Sequence, residues 1–95
     1  MHFLIIAHDY RDPEAPDRRQ RQRPAHVEGV RRLRDRGQFV EGGAMMNDEG
    51  RIVGSMVLVD FPSRAEVESW IAADPYTTGQ VWEHVTVQQF RRVQL

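Results

Sequence analysis

Phe39-Val40-Glu41-Gly42-Gly43-Ala44-Met45-Met46, then Asn47-Asp48-Glu49-Gly50, then Arg51-Ile52-Val53-Gly54-Ser55-Met56-Val57-Leu58-Val59-Asp60 is the stretch that decides the fold. Its two halves are short runs rich in β-branched and apolar residues, and the segment between them is made of turn residues, so the whole predicts a β-hairpin. Gly42, Gly43 and Gly54 interrupt the strands, and glycine within a strand marks a bulge or a place where a ligand or another backbone comes close. A hairpin in the middle of a 95-residue chain needs cover from the segments on either side.

After the hairpin, Pro62-Ser63 stops the strand. Ser63 with Glu66 three residues on is a capping-box pattern, so a helix is predicted to about Ala73, with Val67, Trp70 and Ile71 on its apolar stripe. Before the hairpin, Pro24 fits the first turn of a helix that ends at Arg36, with Gly37 as the stop, because an interior proline costs about 3 kcal/mol. At 100° per residue His26, Val30 and Leu33 share one side of that helix, with Val27 at its margin. Residues 2–7 read as a buried, central first strand, and Val81 to Val93 as a long last one. In that last strand Val81, Val85, Val87 and Val93 alternate with Trp82, His84 and Phe90. Between the first strand and the helix, Asp9 to Arg23 is a Pro- and Arg-rich connection, helical in part around 16–22. It is the one long loop, and long loops are often functional.

The order is therefore βαββαβ in a single domain, residues 1–95. Two right-handed crossovers fold such a chain into a ferredoxin-like α+β sandwich, a four-stranded antiparallel sheet with both helices on one face. A chain of this size buries only a modest core, and the last strand carries apolar groups on both alternations. One face can meet the helices and the other a second subunit, so a homodimer is expected.

Composition removes several functions. Without cysteine there is no disulfide, thiolate chemistry or Cys-ligated metal. The start, Met1 to Ala7, has no basic n-region and no run near the ~20 residues that span a bilayer, so a cytoplasmic protein with no membrane association is expected. Residues 11–36 hold nine Arg against five acids, whereas residues 37–95 hold four Arg against eight. The Arg-rich stretch reads as a solvated helix face rather than a nucleic-acid footprint, given the acidic remainder. RNA binding on the sheet would need exposed aromatics in the third strand, and Arg51 to Leu58 has none.

Two residues stand out chemically. Asp74 closes a helix, where a carboxylate gains nothing from the dipole. Followed by Pro75, it also makes an N-cap and N1 pair for a new turn, and its two oxygens can serve both a cap and a second partner. His26 on an apolar stripe is either a hydrogen-bonded core residue or an acid–base group. The predicted fold can bring the start of the first helix near the end of the second, where Asp74 would orient the imidazole. His2, His8 and His84 lack metal-ligand spacing. Ser55 and Ser63 have no nucleophile-elbow context, and Gly42-Gly43 is not followed by the Lys and Ser/Thr of a phosphate loop.

Taken together, Arg23-Pro24-Ala25-His26, Gly42-Gly43, Gly54-Ser55 and Asp74-Pro75-Tyr76 resemble the YciI-like (YCII-related) family, over essentially the whole chain. The resemblance implies a dimeric α+β barrel assembly and an active site centred on a His and an Asp, roles that fall on His26 and Asp74. Arg23, Ser55, Gly43 and Tyr76 would contribute to a substrate pocket. It also implies kinship with muconolactone isomerase and a chlorohydroxyhydroquinone dehydrochlorinase, which handle small oxygenated rings. Two departures are visible: Gly42-Gly43-Ala44 stands where the family often has Gly-Pro, and the first loop is longer and richer in Arg, as a lid over the pocket would be.

The expected function is then a small cofactor-free lyase or isomerase. In it His26 moves a proton next to a carbonyl or enol, Asp74 orients it, and Arg23 neutralises a substrate carboxylate or enolate. The competing reading is a non-catalytic module that binds a small ligand or dimerises through the same surfaces.

Overall fold

A central hairpin organises the molecule, as a computed structural model of residues 1–95 shows. The elements are β1 (His2–Asp9), α1 (Ala15–Asp35), β2 (Phe39–Met46), β3 (Ile52–Asp60), α2 (Arg64–Ala73), α3 (Pro75–Thr78) and β4 (Trp82–Phe90). The strands form one sheet in the order β2-β3-β1-β4, every neighbouring pair antiparallel, which is the ferredoxin-like arrangement. β1 is central, as its apolar run predicts.

The hairpin turn is built by its own residues. Asn47 Oδ1 accepts from the backbone N–H groups of Glu49 and Arg51, and Gly50 takes the positive φ of +79° that the turn requires. In β3 a Cβ on Gly54 would run into the Ala7 carbonyl of β1, so only glycine lets the two strands approach at this register. That close approach sets Ser55 opposite Ala7 on the helix-facing side.

Alternation then sorts the sheet into two faces. Phe3 and Ile5 of β1, with Val57 and Val59 of β3, are buried beneath the helices together with Leu33 of α1, Val67 of α2 and Phe61. A second buried group, Ala7, Tyr76, Val81 and Trp82, lies at the other end of β1. Leu4, Ile6, Met56 and Leu58 point to the open face.

Three expectations need correction. The first helix does not start at Pro24; it starts at Ala15 and carries Pro24 in its interior. Two side-chain anchors hold its N-terminal half down despite the missing donor. Arg18 reaches Asp12 and the Gln80 carbonyl, while Arg19 reaches Asp9 and Ser55. Most of the connection expected between Asp9 and Arg23 is therefore helix, and it forms a wall.

The last strand ends at Phe90 and not at Val93, because Phe90 pairs with His2 and β1 has no further residue to continue the ladder. Its first residue also departs from simple alternation. The register shifts between His8 and Asp9, so that Asp9 faces Trp82 where regular pairing would place Glu83. This bulge turns Trp82 into the helix-side core instead of leaving it on the His84 face.

Ser63 caps α2 by accepting from the Glu66 N–H, and Asp74 caps α3 by accepting from the Tyr76 N–H, with Pro75 first in the new turn. Both caps agree with the sequence.

Candidate active site

The two sequence-predicted acid–base residues meet. His26 Nδ1 lies 2.7 Å from Asp74 Oδ2, with the Asp74 side chain 1% and the His26 side chain 11% exposed. α1 supplies His26 from its core-facing stripe, and the break between α2 and α3 supplies Asp74. The same Oδ2 accepts from the Tyr76 N–H at 2.9 Å, so the carboxylate is fixed by the backbone it caps. A carboxylate only accepts, which puts a proton on His26 Nδ1 and leaves Nε2 as the atom that exchanges one. Nε2 has no protein partner, yet it is not among the sealed polar atoms, which are Asp9 Oδ1 and Thr77 Oγ1.

Aromatic rings hold the imidazole in place. Tyr76 stacks on it at 3.9 Å between centroids and 12° between planes, and Trp82 meets both rings edge-on at 5.6 Å. Arg19 lays its guanidinium 4.8 Å from the Tyr76 ring centre. Burial pushes the Tyr76 hydroxyl above its ordinary range, against the pull of the Arg19 and Arg23 charges.

A second polar cluster adjoins the first. Arg19 donates to Asp9 Oδ2 at 2.7 Å and to Ser55 Oγ at 2.8 Å, and Trp82 Nε1 donates to the same Oγ at 3.1 Å. With two donors on its oxygen, buried Ser55 has its own hydroxyl hydrogen left to give. Burial raises the Asp9 carboxyl above the usual carboxylate range even though Arg19 pulls it down.

A cleft of about 1210 Å³ opens beside these groups. Tyr76, Arg19 and Arg23 line it, facing Ala44, Ile52 and Val53 of the hairpin. Of the residues expected at a pocket, Arg23 and Tyr76 thus border the cleft, and Ser55 is joined to it through Arg19. Gly43 is not brought there. It pairs with Met56, whose side of the ladder is the open face, and its neighbour Ala44 is the β2 residue that lines the cleft. The sequence reading missed Asp9, Arg19 and Trp82. Arg19 was one arginine among nine in its stretch, and Trp82 was hidden by the bulge. The closing Asp of β1 carried no motif.

Comparison with known proteins adds to this geometry. The family model described as the YCII-related domain matches residues 1–91. Protein YciI of Escherichia coli is 35% identical over 99 residues, covering 98% of this chain and 99% of that protein. Among solved structures, 5-chloro-2-hydroxyhydroquinone dehydrochlorinase (TftG) from Burkholderia phenoliruptrix, in complex with 2,5-dihydroxybenzoquinone, superposes with a TM-score of 0.82. It is 23% identical, with 98% of this chain and 96% of that chain covered. A conserved protein from Methanosarcina mazei follows at a TM-score of 0.60 and 9% identity, covering 96% and 94%, and it shares the fold.

Proposed function

The chain belongs to the YCII-related family, and from that premise we propose that it is a small cofactor-free lyase or isomerase acting on an oxygenated ring through His26 and Asp74. The observation that carries this reading is the 2.7 Å contact between Nδ1 and a buried carboxylate, which leaves Nε2 free. The dehydrochlorinase among the fold relatives, bound to a dihydroxybenzoquinone, supports a small oxygenated ring as the substrate.

The chemistry needs no further group. Nε2 takes a proton from a ring carbon beside a carbonyl, and the C–H electron pair passes into an enolate. Asp74 stabilises the imidazolium that forms. For isomerisation the same nitrogen returns the proton to a different carbon. For elimination the enolate expels a halide with its bonding pair, so that a proton and a halide leave and the ring gains a double bond. Arg23 and the free Ser55 hydroxyl are the groups to stabilise the enolate oxygen, with Arg19 polarising Ser55.

Incubation in D2O with a panel of small lactones and halogenated hydroxyphenols tests the reading directly. Deuterium should enter the carbon that loses a proton, and product should accumulate with a suitable ring. The alternative, a ligand-binding module, gives saturable binding with neither exchange nor product.

The same chain is proposed to work as a homodimer through the open sheet face. Leu4, Ile6 and Met56 lie there half-buried, and Phe90, 39% exposed, pairs with His2 at its end. Face-to-face packing of two such sheets would cover an apolar surface that a monomer leaves wet. Light scattering at micromolar concentration should return about twice the 11.1 kDa chain mass. A clean monomer there would rule the assembly out.

A further inference from the structure

Three arginines at the cleft have no carboxylate to answer them. Arg11 comes from the loop after β1, Arg23 from α1 and Arg51 from the foot of β3, and all three line the same cleft. Four other arginines are ion-paired, Arg18 with Asp12, Arg19 with Asp9, Arg31 with Glu28 and Arg34 with Asp35. What sets Arg11, Arg23 and Arg51 apart from the remaining unpaired ones is that they converge on a single cleft. The two acids at the cleft are the ones already held, Asp9 by Arg19 and Asp12 by Arg18, so neither neutralises the other three. Like charges gathered from three separate segments around one concavity repel one another, and an anion between them relieves that repulsion.

The rest of the lining limits what the anion is. Ala15 and Pro16 on one side, and Ala44, Ile52 and Val53 on the hairpin, form apolar walls. Ile52 is 48% and Val53 36% exposed, so apolar surface is on offer inside the charged ring. A nucleic-acid strand would meet the −4 balance of residues 37–95 once past the cleft. One carboxylate engages one or two guanidiniums and leaves the remainder uncompensated; two acidic groups match the set.

We infer that the ligand of this cleft is a small organic dianion, a ring-sized apolar body carrying two acidic oxygen groups, held between Arg23 on the helix wall and Arg11 and Arg51 at the mouth. This deepens the proposed function by naming its substrate class, and it rests on reading the cleft as the substrate's. The two fail separately, because a wild-type chain that binds benzoate and isophthalate equally can still exchange deuterium through His26, and absence of exchange leaves the charge preference measurable.

Titration calorimetry of the whole chain with benzoate, isophthalate, inorganic phosphate and oligothymidylate tests it. At low ionic strength isophthalate should bind about 10-fold more tightly than benzoate, from one further charge a few ångströms from a solvated guanidinium, and the ratio should shrink toward unity in high salt. Arg23→Gln and Arg51→Gln should each remove about 3-fold of the preference on the same Coulomb scale. Arg34→Gln, on an exposed helix face away from the cleft, should remove none. None of these substitutions touches a buried side chain, and circular dichroism confirms that each variant is folded before it is titrated. Equal binding of benzoate and isophthalate overturns the proposal, as does a preference unchanged in both glutamine variants. Phosphate binding as tight as isophthalate overturns the organic body, and tighter binding of oligothymidylate makes the cleft a nucleic-acid site.

Discussion

His26→Gln slows turnover by about 10²–10⁴-fold while the melting temperature barely moves, because general acid–base transfer contributes on that scale and glutamine preserves most of what the imidazole does structurally. Glutamine keeps the volume on the stripe it shares with Leu33, and its amide can still donate to Asp74. What it lacks is an Nε2 able to take a proton. The measurement is initial rate on the ring that exchanges deuterium, set beside a thermal melt of the same preparation. If His26 is only a core residue, the order reverses: the variant melts early and its folded fraction retains full activity. An active, destabilised His26→Gln ends the catalytic reading. Asn at position 74 offers a graded companion, since its amide oxygen still caps α3 and accepts from His26 but carries no charge to stabilise an imidazolium, so its rate falls less.

The stripe that carries His26 was legible because helical periodicity is a local signal: His26 and Leu33 share the buried side of α1, as their spacing requires. The double role of Asp74 was legible for a similar reason, since Asp-Pro after a helix is a start signal as well as a stop. Their meeting across 48 residues followed from topology, once the hairpin fixed the order of elements.

What escaped the sequence was long-range in a different way. Pro24 argued for a helix start because its intrinsic cost is high, and nothing in residues 15–23 announces that Arg18 and Arg19 find partners on β1, β3 and the loop before β4. Tertiary anchoring overrode propensity there. The bulge opposite Asp9 is a one-residue slip, and a slip reverses which face a side chain joins. Trp82 was therefore grouped with His84 and Phe90, and with that the indole donor to Ser55 was lost. A cysteine-free composition narrowed the chemistry, but the pairing of particular arginines needed coordinates.

The residue with the most to lose is Asp74, because one oxygen holds two elements at once. Asp74→Ala removes the cap of α3, worth about 1 kcal/mol. It also leaves the buried His26 Nδ1 without an acceptor, at about 1–3 kcal/mol. Together these take away roughly 2–4 kcal/mol from a domain whose total stability is of the order of 5–15 kcal/mol. At 4–8 °C per kcal/mol for a chain of this length, the melting temperature should fall by about 8–30 °C. Asp74→Ser separates the two losses. Its hydroxyl can accept from the Tyr76 N–H, as a good N-cap does, but it is one atom too short to reach His26 in the same pose. The serine variant should recover about 1 kcal/mol relative to alanine while staying as slow in catalysis. If alanine and serine melt together near the wild type, the buried contact with His26 contributes nothing to the fold. The stacking of Tyr76 and Trp82 alone would then position the imidazole.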